Sequence, residues 1–162
     1  MNFKKIITGL LLSLLLGSGV AVAADFSVGL QAAQSGDFKA SLFEWTPLAK
    51  QGNAQAQTNL GAMYDNGTVV LENDKTAVKW YTLTAKQGDA QAQGNLGVMY
   101  GKGEGVLTDT KRAYMWFNLG SYNGSELGGE NKSATAKEMT PADIYKAQDM
   151  SSRCLERNYT DC

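Results

Sequence analysis

Histidine is absent from this 162-residue sequence, and with it go the general base of Ser-His-Asp and Cys-His catalysis and the commonest zinc ligand. Proline is nearly absent, at 2 residues, while glycine reaches 18. Glycine without proline or low-complexity tracts indicates many short connections between regular elements rather than a flexible linker. Charge is scarce as well: Asp, Glu, Lys and Arg make up 19% of the chain and nearly cancel, to a formal -1. No basic surplus exists to hold a phosphate backbone, so no nucleic-acid partner is expected, and a 43% hydrophobic content excludes a disordered acidic chain. The length suits one domain whose core needs no metal staple. No cofactor and no metal are expected.

The N-terminus reads as a secretory signal peptide over residues 1–23. Lys4 and Lys5 precede an apolar run from Ile6 to Leu16, which is short for a membrane span, and Ala21-Val22-Ala23 places small residues three and one before a cut. A retained membrane anchor is the alternative reading; no cysteine follows the run to carry a lipid. Cleavage after Ala23 leaves 139 residues with 13 basic and 16 acidic side chains, a balance that attracts neither phosphate backbones nor anionic lipid. The expected location is therefore periplasmic or secreted, in a bacterial envelope, with no membrane contact after cleavage.

Cysteine is confined to Cys154 and Cys162, in the last nine residues. Export to an oxidising compartment lets them pair. They lack C-x-x-C spacing and have no other soft ligands beside them, so a disulfide is expected rather than a redox or metal pair. Closing so short a loop contributes roughly 2.5 kcal/mol in the chain-entropy model.

What the sequence does contain is a repeat. Shifting Ala49–Tyr81 by 36 residues onto Ala85–Phe117 matches 19 of 33 positions without a gap. A period of this size indicates a stacked solenoid. Ala56, Leu60, Met63 and Tyr64 recur at helical spacing, as do Ala77, Trp80, Tyr81 and Ala85, so each unit is a pair of helices. Ala56, Gly61, Ala77, Ala92, Gly97 and Ala113 permit close helix contact. Gly52 and Gly88 stand at expected left-handed C-caps, followed by Asn53 and Asp89 as N-caps, and Gly67, Gly101, Gly103 and Gly105 are expected in the turn between paired helices. Upstream lies a degenerate unit at about 26–50 with a shorter turn, in which Trp45 stands 36 residues before Tyr81. Full units follow at about 51–86 and 87–122. Ser125–Asn131 loses the alanine pattern and is expected to be a loop. Thr140-Pro141-Ala142-Asp143 starts a capping helix at about 140–158, with Thr140 as N-cap and Asp143 as its acidic box partner.

The blocks A-x-A-Q-x-N-L-G-x-M-Y, the turn G-V-L-x-D at residues 105–109 and K-R-A-Y-M-W-F together resemble the Sel-one-like repeat family, relatives of the tetratricopeptide repeat. The likeness covers Gly29 to Ser121. The tail EMTPADIYKAQ with its two cysteines resembles the C-terminal cap of exported bacterial members. The first full copy departs at Val69, where glycine is usual, and at Asn73, where aspartate is usual. The resemblance implies an all-α fold, an α-solenoid (right-handed superhelix) of stacked antiparallel helix pairs, tetratricopeptide-like. It also implies a scaffold without chemistry of its own, with a protein or peptide partner held in a concave groove. Tetratricopeptide geometry carried over by that likeness points Gln55, Thr58, Ala62, Asp65 and Asn66 into the groove from one unit, and Gln91, Gly94, Val98, Gly101 and Lys102 from the next. Such a surface is polar and nearly uncharged, suited either to an extended peptide backbone or to solvent alone.

Other readings of the same residues point elsewhere. Trp80-Tyr81 and Trp116-Phe117 fit core packing better than a ligand box; Tyr114 and Tyr122 are left for an exposed patch, which suggests a cell-wall or glycan-associated module as an alternative function. Gly101–Gly105 has neither G-x-G-x-x-G nor G-K-[ST] and is read as a turn. The N-x-[ST] triplets at Asn66, Asn123, Asn131 and Asn158 are read as turn residues. A β-lactam-interacting, hydrolase-like relative is the remote alternative, but S-x-x-K and K-T-G are both missing, as is a disulfide in each repeat. Asp65 with Glu72, or Glu104 with Asp109, is the remaining conceivable carboxylate pair; both sit at turns, where acidic residues cap helices. No enzymatic activity is expected.

Overall fold

The computed structural model describes residues 24–68, 73–160 and 162, so the signal-peptide reading of residues 1–23 and the departure at Val69 lie outside the described residues. Those residues form eight helices and no strand: α1 (Phe26–Gln34), α2 (Phe38–Lys50), α3 (Ala54–Asp65), α4 (Asp74–Ala85), α5 (Ala90–Lys102), α6 (Thr110–Tyr122), α7 (Glu126–Ala136) and α8 (Pro141–Glu156). Each helix packs on the next in chain order as far as α7. In addition α7 reaches back to α5, and α8 lies on α6. This is an α-solenoid of helix pairs.

Local chemistry sets every boundary. Asn53, Asp89 and Ser125, spaced by the 36-residue period, cap α3, α5 and α7 by accepting from Ala56, Ala92 and Gly128 amides. The glycine before each cap, Gly52, Gly88 and Gly124, has φ of 95°, 85° and 98°, a backbone conformation that side chains resist. Asn73 caps α4 as Asp109 caps α6, so the asparagine is a working substitute for the usual aspartate. Thr140 and Asp143 close the expected capping box at α8, the Thr140 hydroxyl donating to Asp143 Oδ2 at 2.9 Å and accepting from the Asp143 amide at 3.2 Å.

Within a unit, the two helices meet where a glycine on the first lies under an aromatic ring on the second. Gly29 faces Trp45, Gly61 faces Tyr81 and Gly97 faces Phe117; a β-carbon would come within 2.6 Å of the Tyr81 ring at Gly61 and 2.5 Å of the Phe117 ring at Gly97. The degenerate first unit thus keeps the same contact while its connecting turn shrinks to Ser35–Asp37. Two clusters make up the core, one around Trp45, Ala49, Leu60 and Met63, the other around Tyr81, Leu96, Met99, Trp116 and Leu119. Trp116 and Phe117 are both buried, as are Trp45 and Tyr81, in keeping with a packing role.

Three local expectations need correction. Residues 125–131 are not a loop: Ser125 caps α7, which occupies the first-helix position of a fourth unit. There Gly128 replaces Ala56 and Ala92 in register, and α7 comes so close to α6 that a β-carbon on Gly128 would sit 2.7 Å from the Ser121 amide nitrogen. Gly101 and Lys102 belong to the last turn of α5 rather than to the connection, because the left-handed residue that ends the helix is Gly103, φ 79°, whose amide donates to the Met99 carbonyl. Tyr114 is buried by α8, and its hydroxyl accepts from Gln148 Nε2 at 3.4 Å.

The tail folds back as a hook. Cys154, fully buried, is disulfide-bonded to Cys162, with Cα atoms 4.9 Å apart. The loop between them brings Tyr159 over Gly88 and against Asn123. No helix among the described residues is long and apolar enough to cross a membrane.

Candidate functional site

The first helices of three units share one side of the molecule. Phe26 and Leu30 of α1, Gln55, Thr58 and Asn59 of α3, and Asp89 and Gln91 at the start of α5 line a depression of about 300 Å³. Gln55 and Gln91 are exposed along it, one period apart. Thr58 lines the same depression but is only 5% exposed, and its hydroxyl is a buried oxygen without a hydrogen-bond partner. It forms the floor of the groove and does not reach out from it, because Asp89 and Gln91 stand where Ser125 and Leu127 stand over its register mate Gly94.

Asp65, Asn66 and Lys102 lie at the other ends of α3 and α5. Asn66 is exposed and its amide nitrogen donates to the Ala62 carbonyl at 2.8 Å. Lys102 is paired with Glu104 at 3.4 Å. Asp65 is half-buried and accepts a long hydrogen bond from the Tyr81 hydroxyl, 3.4 Å. Burial first, and the Glu104 charge second, hold the Asp65 carboxyl above the ordinary carboxylate range. Burial and the Asp65 charge likewise push the Tyr81 phenol above its usual value. The six polar side chains among the expected groove residues therefore divide into two groups, Gln55, Thr58 and Gln91 around one depression and Asp65, Asn66 and Lys102 near the helix C-termini.

A second, smaller hollow of about 200 Å³ opens between the α1–α2 pair and α3. Trp45 and Met63 form its buried floor, Ala33 and Ala62 its walls, and Phe38, Asn59, Asn66 and Thr68 its rim. Asn59 lines both this hollow and the larger depression.

No constellation for chemistry appears among the described residues. Asp109 caps the Arg112 amide at 3.0 Å and pairs with the Arg112 side chain at 3.7 Å, while Glu104 is engaged by Lys102; Glu72 lies outside the described residues. No group of three or more potential metal-ligating Cys, Asp or Glu residues occurs there either.

Sequence reasoning missed a set of buried amides that joins the units. Gln57 Nε2 donates to the Ala49 carbonyl at 2.9 Å and Gln57 Oε1 accepts from Gln87 at 2.8 Å; one period later Gln93 donates to Ala85 at 3.0 Å and accepts from Asn123 at 2.8 Å. Asn123 also donates to the Tyr159 hydroxyl at 2.8 Å, so it is a structural link and not a passive turn residue. The available signal was the recurrence of the second glutamine in A-x-A-Q directly after a buried alanine, together with Gln87 and Asn123 at the matching position 30 residues on.

Comparison with known proteins places this architecture. The Sel1 repeat model matches residues 54–89 and 90–125. The crystal structure of a protective antigen present in uropathogenic Escherichia coli strains, displaying an SLR fold, superposes with a TM-score of 0.76 at 28% identity over 82% of this chain. A Sel1 repeat protein from Oxalobacter formigenes does so with a TM-score of 0.65 at 30% identity over 70%. The chain spans 30% of the first and 47% of the second, so both are longer chains. Among curated proteins, none matches the sequence. Sel1 repeat proteins are in general protein-interaction scaffolds, typically without catalysis. With two matched repeats in register and the same solenoid in both solved structures, the chain carries Sel1 repeats in an SLR-type fold.

Proposed function

We propose that this protein is an exported, non-catalytic scaffold that holds an extended segment of a partner protein along its first-helix side. The observation that carries the reading is the depression shared by α1, α3 and α5, where Gln55 and Gln91 offer amide groups one period apart and Asn59 adds a third. Amide side chains can pair with both the N–H and the C=O of an extended backbone, without demanding a particular partner sequence. Export rests on the basic and apolar pattern of residues 1–23 and on the oxidised cysteine pair in the tail.

Replacing Gln55 and Gln91 together by Glu and Asn66 and Lys102 together by Trp and Glu gives two groove variants. Loss of partner capture in either variant, with helicity and thermal midpoint unchanged, is the expected result; full capture by both sinks the groove assignment. The cell-wall reading draws on Tyr122 and Tyr145, which are 72% and 73% exposed. Co-sedimentation with purified cell wall separates it from the first: binding that is lost on Tyr122→Ala and Tyr145→Ala favours the wall, and no sedimentation eliminates it.

A further inference from the structure

The hollow floored by Trp45 and Met63 lies at the first unit junction, where the side chains differ from those of the next. Aligning the units on Gly29 and Gly61, each under its aromatic ring, brings Ala33 onto Asp65 and Trp45 onto Tyr81; the 36-residue period brings Ala62 onto Val98 and Met63 onto Met99. At the second junction the matching positions carry larger groups: the Asp65 carboxylate, the Tyr81 hydroxyl that donates to it, and Val98. At the first junction two alanine methyls leave it open, with Trp45 only 4% exposed beneath and Asn59 and Asn66 at the edge.

A volume of about 200 Å³ is too small for a whole ligand, since small-molecule sites run to about 300–1,000 Å³. It suits one side chain. Asn59 links it to the amide-lined depression, so a chain lying along Gln55 and Gln91 passes its rim. From the alignment on the glycines and from these shared lining residues, we infer that this hollow takes a single apolar side chain, of leucine or phenylalanine size, from the extended partner segment, and so reads one residue of it. The inference rests on the groove reading above. The charge nearby restricts the partner further. One unit on, Asp65, Glu104 and Asp74 set three carboxylates against one lysine, Lys102. Neighbouring helices in such a stack stand about 10 Å apart and an extended chain advances about 3.3 Å per residue, so a carboxylate roughly three residues from the apolar anchor meets that charge. The partner segment is therefore neutral or basic at that spacing.

The test uses unstructured twelve-residue peptides of Gly, Ser and Asn carrying one Leu, Phe or Ala, with Lys or Glu three residues away on either side. They are titrated into isotope-labelled protein while the three indole N–H resonances and the Gln55 and Gln91 amides are followed. Trp45 Nε1 donates to the Phe26 carbonyl at 3.3 Å, so its signal reports on the floor, whereas Trp116, in the other core cluster, serves as internal control. The Leu and Phe peptides are expected to shift the Trp45 signal and the Ala peptide to bind about tenfold or more weakly; Glu beside the anchor weakens binding and Lys does not. Filling the hollow with Ala62→Leu removes the preference for Leu over Ala. The variant Ala62→Val installs the residue that the next unit carries at this register, so it guards against misfolding, and it reduces the preference partly. Shifts at Gln55 and Gln91 with a silent Trp45, or an undiminished preference in Ala62→Leu, overturn the hollow and leave the groove reading standing. Silence at all of these positions overturns both. A Trp45 shift by isobutanol as large as that by the Leu peptide at equal concentration, without any groove shift, overturns the peptide assignment in favour of a free small molecule.

Discussion

Single atoms decide where these helices approach one another. At Gly97 the missing β-carbon makes room for the ring of Phe117, and at Gly128 it makes room for the backbone of α6 itself. Overpacking a filled core costs typically 1–3 kcal/mol, and alanine returns at most about 1 kcal/mol of helix propensity, so Gly97→Ala is expected to lower stability by about 1–2 kcal/mol in chemical denaturation. Gly128→Ala is expected to cost more than Gly97→Ala, because a ring can turn slightly whereas the Ser121 amide cannot yield without moving α7. Asp65 gives a second prediction at this scale. Its carboxyl is held above its ordinary value in the folded protein, so folding disfavours its charge. Below the unfolded value, about 4, both states are protonated and the penalty vanishes; it grows as pH rises toward the folded value and is complete above it. Asp65→Asn should therefore raise the thermal midpoint at pH 7 and leave it unchanged at pH 3. Equal gains at both values contradict the account. Residue identity alone hid the burial of Gln57 and Gln93, because an uncharged polar side chain beside an alanine stripe reads as solvated until its carbonyl partner on the preceding helix is known.

Elements were legible wherever capping chemistry and alanine spacing agreed, which held for α3 to α6 and, through the Thr140–Asp143 box, for α8. Helix α7 escaped because glycine replaces alanine on its inner face: the substitution that brings α7 closest to α6 also erases the apolar stripe by which a helix is recognised. Tyr114 was misplaced for a related reason, since α8, which covers it, lies more than 25 residues away in the chain. The last element is the disulfide hook. Asn158 and Tyr159 both adopt positive φ, 49° and 61°, a conformation that asparagine tolerates and that a bulky tyrosine holds where its surroundings enforce it. Here Tyr159 is fixed by Asn123 and by the Cys154–Cys162 closure. Cys162→Ser is expected to lower stability by about 2–3 kcal/mol and to speed amide hydrogen exchange over 157–160, with little change in α1 to α4. Uniform acceleration through the whole chain contradicts a local role for the hook.

At the scale of the whole molecule, a solenoid is a stack in which each unit contacts only its neighbours, and binding surface accumulates along one side. The period of 36 residues was legible from the sequence, and with it the side that Gln55 and Gln91 share. The hollow was not, because it arises from a difference between units, Ala33 and Ala62 against Asp65 and Val98, and a repeat alignment draws attention to what units have in common. The proposed groove puts a partner along the first-helix side. Photo-crosslinking residues placed singly at Gln55, Asn59 and Gln91, and as controls at exposed Lys79 and Tyr122 on second helices, test it in living cells. The same adduct from all three first-helix positions and none from Lys79 or Tyr122 is the predicted result. Adducts from the second-helix positions, with the first-helix positions silent, contradict it.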